Sequence, residues 1–209
     1  HWETFLSLLE TLRHFGCLEN LALTDIGRTV ASLRGDNELW LGLALMSGHM
    51  DELQPSELAA ALEAISTEVN RPDIWCAYSV PRNSQEALDN LSGIRRELLR
   101  AQERAHVSTP VWSDPSLMGL VETWSKGVPW GEFISNTSLD EGDVVRILRR
   151  TVDLLSQVPY CEAISEKLRR NARIALRQIN RFPVCDSQDI SESMALKEVL
   201  GNPATERIP

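Results

Sequence analysis

With 209 residues, 43% of them apolar and 24% charged, the chain can fill one complete hydrophobic core, which excludes wholesale disorder. A formal net charge of −9 excludes a surface that binds nucleic acid everywhere, because phosphate contacts need local positive charge. No apolar run approaches the ~20 residues of a membrane span, and Glu3, Glu10 and Arg13 interrupt the N-terminal apolar stretch in a way no signal peptide does.

The first residue is His1 rather than methionine, which points to a fragment or a processed form. Trp2, Phe5, Leu6, Leu8, Leu9, Leu12 and Phe15 then recur at helical spacing, and Gly16 is placed to end that helix. The stretch 21–35 reads two ways, as a short strand or as a small helix beginning near Thr24. From Asp36 or Asn37 a largely buried helix follows and loosens around Gly48. Pro55 suits the first turn of an alanine-rich helix. Residues 70–83, with Pro72 and Pro81, have no period and read as a loop.

A long helix is predicted over 84–107. Asp114-Pro115 reads as a cap and first turn of the next, which Gly127 terminates. Pro129 starts a short helical piece reaching Ile134. Ser138 and Glu141 have the spacing of a capping box, and Asp140, Glu141 and Asp143 suit the positive end of the helix that follows and ends at Pro159. One more helix is expected from Tyr160 to Phe182, then a polar tail (183–209) that is disordered or carries one weak helix over 189–201. The whole is an all-α multi-helix bundle, with a minor strand element near 21–33.

Catalytic patterns are missing: there is no GxxxxGK[ST] loop, no GxGxxG after a strand, no HExxH and no GxSxG. His1, His14, His49 and His106 stand singly, so no metal set is nominated, and no catalytic residue either. Cys17, Cys76, Cys161 and Cys185 are far apart and form no CxxC pair; an even count in a secreted chain could mean disulfides, but so loose a spacing reads as buried free thiols in a reducing compartment. Of six tryptophans, Trp2, Trp40 and Trp124 lie on apolar helical faces and are expected in the core. Trp75 and Tyr78, in the proline-flanked loop with Arg71, either stack on a base or a partner, or pin the loop to the body.

Charge is concentrated. Between 144 and 182 nine Lys and Arg face three acidic residues, an excess of +6 that leaves −15 on the remainder. On the helix 142–158, Val144, Val145, Ile147, Leu148, Val152, Leu154, Leu155 and Val158 cover about half the circumference. Arg146, Arg150, Asp153 and Gln157 form the opposite stripe, with Arg149 beside it. Arg146 and Arg150 are one turn apart, about 6 Å along the axis, a spacing at which two guanidiniums can follow a nucleic-acid backbone. Asp153 is within helical reach of Arg149 or Arg150. A solvated face remains the alternative.

The segment "DPSLMGLVETWSKGVPWGEFISNTSLDEGDVVRILRRTVDLLSQV" resembles the C-terminal (DSHCT) domain of DExH-box RNA helicases of the superkiller and exosome-associated type. Its shared elements are Trp124, Gly127, Glu141, Gly142, Arg146 and Arg150. "RGDNELWLGLALMSGHMDELQPSELAAAL" is similar to the same family, and the cyanobacterial and chloroplast branch fits best. The resemblance runs over 21–182 and implies a bundle seated on two ATPase domains, with a ratchet helix (142–158) along the RNA channel. It implies single-stranded RNA contacts at Arg146 and Arg150, with Arg149, Asp153 and Gln157 as neighbours.

It also implies partners in the upstream ATPase domains of the same polypeptide, where ATP and Mg would be used, and among other RNA-processing proteins. The compartment implied is a bacterial cytoplasm or chloroplast stroma. Residues 1–20 would end a preceding linker or winged-helix element. Helicase activity cannot reside in this chain, which lacks the ATPase motifs. The alternative class is a helical protein-interaction module that docks a partner or regulatory domain through its acidic faces.

Overall fold

A computed structural model describes residues 2–69 and 73–185. The bundle is built around α4 (Pro55–Ser66), a helix with little to offer water. Leu58, Leu62, Ile65 and the alanines Ala59, Ala60, Ala61 and Ala64 are all buried. Their small side chains let neighbours approach from several directions. Thus α5 (Arg82–Arg104), α6 (Met118–Ser125), α8 (Glu141–Gln157) and α9 (Glu166–Ile179) all pack on α4. The exception on α4 is Glu63, which is wholly buried with neither carboxylate oxygen hydrogen-bonded. Its burial, aided by the charge of Asp114, raises this carboxyl well above the ordinary range, so the neutral acid is the form the core holds.

The ambiguous stretch 21–35 contains both expected elements. A two-residue antiparallel hairpin, β1 (Leu18–Glu19) with β2 (Ala22–Leu23), leads into α2 (Asp25–Ser32). Thr24 caps α2 by accepting from the Gly27 amide at 3.1 Å. Asn37 caps α3 (Glu38–Met46) by accepting from the Trp40 amide at 3.1 Å. The same Asn37 amide group donates to Gln102 Oε1 at 2.8 Å and Thr109 Oγ1 at 3.2 Å, which ties the start of α3 to the end of α5. Asn37→Ala removes a cap and one of the two hydrogen bonds that Gln102 Oε1 accepts, the other coming from Thr109 Oγ1. A loss of about 2–3 kcal/mol in urea-unfolding free energy is expected.

Several boundaries differ from the sequence reading. The cap of α8 is Asp140, which accepts from the Asp143 amide at 2.8 Å; Ser138 Oγ instead accepts from the Trp75 amide at 3.0 Å. Asp114 caps a turn, accepting from the Ser116 amide at 2.8 Å, and α6 starts only at Met118. After α8 the chain makes a 3-10 turn at Val158–Tyr160, and α9 begins at Glu166 behind the cap Ser165. The weak helix expected over 189–201, and Arg71, lie outside the described residues. Among those described, no helix is long and apolar enough to cross a membrane. All four cysteines are free thiols: Cys17, Cys161 and Cys185 are buried and Cys76 is half-buried.

Trp2 corrects an expectation. It is 69% exposed and stacks on Phe5, with ring centroids 5.5 Å apart. The helix that carries it, α1 (Trp2–His14), packs chiefly on the hairpin, so Phe5, Leu6 and Leu8 are exposed as well. Periodicity marks a face as apolar without saying what covers it.

Trp40 and Trp124 are buried as expected. Trp40 Nε1 donates to the Trp112 carbonyl at 2.9 Å. Trp124 Nε1 donates to the Ile179 carbonyl at 2.9 Å, joining α6 to the end of α9. The Arg181 guanidinium lies 3.1 Å over the Trp124 ring and donates to the carbonyls of Trp124 and Val128, each at 2.8 Å. Beside this pair α7 (Trp130–Ile134) adds Trp130 and Phe133 to one aromatic cluster. Gly119 on α6 meets the 78–79 backbone so closely that a Cβ there would lie 2.5 Å from the Tyr78 carbonyl oxygen and 2.6 Å from that of Ser79.

Candidate nucleic-acid interface

Helix α8 has the two faces its sequence predicts. Val144, Ile147, Leu148, Leu154 and Leu155 are buried, whereas Arg146, Arg149, Arg150 and Asp153 are exposed. The side-chain arrangement on the outer face is less simple than a wheel suggests. Arg146 reaches back one turn to Asp143, and its side chain remains 75% exposed. Arg150 forms an ion pair with Asp36, on the turn before α3, with both side chains 43% exposed. Arg149 donates its Nε to the Val184 carbonyl at 2.7 Å.

Two expectations are corrected by these contacts. Asp153 does not hold Arg150, whose partner comes from 114 positions away; among the described residues Asp153 is in no ion pair. Gln157 is not a free member of the stripe. Its Oε1 accepts from the Arg34 amide at 2.6 Å and its Nε2 donates to the Arg34 carbonyl at 3.3 Å, which fastens the segment before α3 to the last turn of α8. The physical reason is the same in both cases. A loop folded over the helix from elsewhere supplies partners that helical spacing cannot reveal.

The loop aromatics also separate. Residues 75–77 are zipped to 136–138 just ahead of α8, with Ala77 N donating to the Asn136 carbonyl at 2.9 Å and Ser138 N to the Trp75 carbonyl at 3.1 Å. Trp75 therefore stands, 54% exposed, near the start of α8. Tyr78 is half-buried: its ring stacks on Phe133 at 5.8 Å and its hydroxyl donates to the Phe133 carbonyl at 3.2 Å. It pins the loop and leaves Trp75 as the accessible ring of the two.

Grooves follow α8 on either side. The outer one, about 660 Å³, runs past Gly142, Val145, Arg146, Arg149 and Arg150 and is bounded by Trp130 and Pro183. Trp130 Nε1 donates to Glu141 Oε2 at 3.2 Å, which seats the indole against the first turn of α8. A second cleft, about 460 Å³, lies between α8 and the turn 34–37, with Trp112 on its wall. Arg150 borders both. Asp36, Trp112 and Trp130 belong to this surface, yet nothing local in the sequence marks them: each arrives there through the tertiary fold.

The family model described as the DSHCT (NUC185) domain matches residues 20–187. The chain belongs to the DSHCT family. It is 30% identical over 191 residues to the chloroplastic DExH-box ATP-dependent RNA helicase DExH15 of Arabidopsis thaliana, a match covering 88% of this chain and 16% of that protein. It is 30% identical over 195 residues to the probable helicase HelY of Mycobacterium tuberculosis, covering 86% of this chain and 21% of HelY. Human exosome RNA helicase MTR4 is 26% identical over 142 residues, covering 66% of this chain and 13% of MTR4. The chain thus spans about a sixth to a fifth of the length of the first two relatives. In this DSHCT domain, Trp124 and Gly127 of the shared pattern are fold elements. Glu141 and Gly142 begin α8, and Arg146 and Arg150 are exposed on it.

Proposed function

We propose that this DSHCT domain is an accessory part of an ATP-dependent RNA helicase and contacts single-stranded RNA through the outer face of α8. Arg146 and Arg150 hold successive backbone phosphates, with Arg149 between them, and the strand is thereby coupled to ATPase domains elsewhere in the same polypeptide. ATP and Mg²⁺ are assigned to those domains, and a bacterial cytoplasm or chloroplast stroma to the whole protein. The observation that carries this reading is the exposed arginine stripe on a helix whose other half is buried in the bundle. A guanidinium donates two parallel hydrogen bonds to a phosphate as readily as to a carboxylate, so Asp143 and Asp36 are counter-charges that a phosphate can displace.

The test is the double variant Arg146→Ala, Arg150→Ala in the full-length helicase. Unwinding is expected to fall by about tenfold or more, which corresponds to roughly 1.4 kcal/mol. The dependence of log affinity on log salt should become shallower by about 1.4, the share of two phosphate contacts on a single strand. Thermal stability should hardly change, because exposed ion pairs contribute about 0–1 kcal/mol. Unwinding that survives, or a loss of folding equal to the loss of activity, would overturn the assignment.

The protein-docking reading is favoured by a different surface from the acidic faces: the exposed apolar side of α1, with Leu21 and Leu23 of the neighbouring hairpin. Phe5→Asp with Leu8→Asp should abolish any contact made there without altering RNA affinity. Pull-down and anisotropy measurements separate the two.

A further inference from the structure

The cleft between α8 and the turn 34–37 has the make-up of a small-ligand pocket. Its floor is apolar, made by Trp40, Leu41, Ile65 and Leu154, all buried. Its wall carries the half-buried indole of Trp112, whose Nε1 lies 3.4 Å from the Asp36 oxygen that also pairs with Arg150. Its edge on α8 carries Asp153. At about 460 Å³ it falls in the lower half of the range for pockets that enclose a small organic group, roughly 300–1,000 Å³. Arg34 and Asp36 line the cleft as well; Asp36 already accepts from Trp112 and Arg150, whereas Asp153 is in no ion pair among the described residues. A flat aromatic wall, an apolar floor, the Arg150 guanidinium at the mouth and the Asp153 carboxylate at the edge together fit a planar heterocycle attached to a phosphate.

We propose that this cleft receives one unstacked nucleobase of the RNA strand that lies along α8. This rests on the proposed RNA contact and adds a site to it. Arg150, which borders both the outer groove and the cleft, holds the phosphate at the point where the base turns inward. Trp112 supplies the stacking surface, and the apolar floor replaces the neighbouring bases that an unstacked nucleotide has lost. Asp153 gives the pocket a chemical preference. A carboxylate accepts from the exocyclic amino group of cytosine, whereas uracil presents a carbonyl oxygen at the same position and is repelled. The pocket therefore takes cytosine over uracil, two bases of nearly equal size.

The experiment measures binding of the full-length helicase to fluorescein-labelled RNA decamers by anisotropy. Three strands are used: oligo-C, oligo-U, and an abasic decamer that keeps the phosphates and has no bases. Wild-type protein is expected to prefer oligo-C by about tenfold, the value of one hydrogen bond to a charged acceptor. Trp112→Ala should weaken oligo-C about 5- to 100-fold, leave the abasic strand unchanged, and be rescued by Trp112→Phe. Asp153→Ala should abolish the preference.

The Trp112 side chain can be truncated without deleting the carbonyl that accepts from Trp40. Should the alanine variant nonetheless fail to fold, the Trp112→Phe and Asp153→Ala arms carry the test. Equal affinity of wild-type protein for oligo-C and oligo-U overturns the carboxylate's part. If Trp112→Ala binds oligo-C normally while Arg146→Ala weakens all three strands, the pocket is refuted and the strand contact stands. If neither substitution weakens any strand, both fail.

Discussion

Trp124→Ala should cost about 3–5 kcal/mol of unfolding free energy, the range for deleting a fully buried aromatic side chain. In a chain of this size that lowers the melting temperature by roughly 10 °C. Trp124 is wholly buried and does three jobs at once. Its indole N–H satisfies the Ile179 carbonyl at the end of α9, its edge packs on Trp130 and Phe133, and its face carries Arg181. Removing it leaves Arg181 in a site whose burial already holds its guanidinium below the ordinary arginine value. Trp124→Phe should fall between wild type and alanine, since the ring stays and the N–H is lost. Urea unfolding checks both, and a cost below about 1 kcal/mol for the alanine variant would contradict this account.

The second large effect is on pH dependence. Glu63 is protonated in the fold over a range where the unfolded chain has released that proton. With more protons bound in the native state than in the unfolded one, stability falls as pH rises. The fall begins at the ordinary carboxylate value and ends at the raised folded value. Within that window one proton corresponds to about 1.4 kcal/mol per pH unit. Below it Glu63 contributes no pH dependence. Glu63→Gln removes the titration, so the difference in stability between wild type and variant should grow with this slope from pH 5 upward. Titrating groups that do not interact with Glu63 cancel in that difference. Parallel profiles for the two proteins would show that Glu63 is not held neutral.

Much of the fold is legible in the sequence because helices announce themselves locally. Pro55 at the start of α4, Asn37 before α3, Gly127 after α6 and the apolar half of α8 are all local signals, and the structure places them accordingly. The cap of α8 is misread because Ser138 and Glu141 imitate a capping box, while Ser138 is drawn away by the strand-like contact with Trp75. The exposed arginine stripe is legible for the same reason as the helix. What surrounds it is not. Asp36, the clasp between Gln157 and Arg34, and the wall made by Trp112 reach α8 from segments far off in the chain. Periodicity gives each helix its inner and outer side, and only packing decides which outer residues meet.

The contact between Gly119 and the backbone of residues 78–79 bears on how variants of this protein should be interpreted. Any side chain at position 119 pushes on the backbone of residues 78–79, directly after the strand-like segment 75–77 that holds Trp75 beside α8. In a mutational scan scored by growth alone, Gly119 would register beside the arginines for a reason unrelated to ligand. An abundance measurement run in parallel would sort it with Trp124 instead.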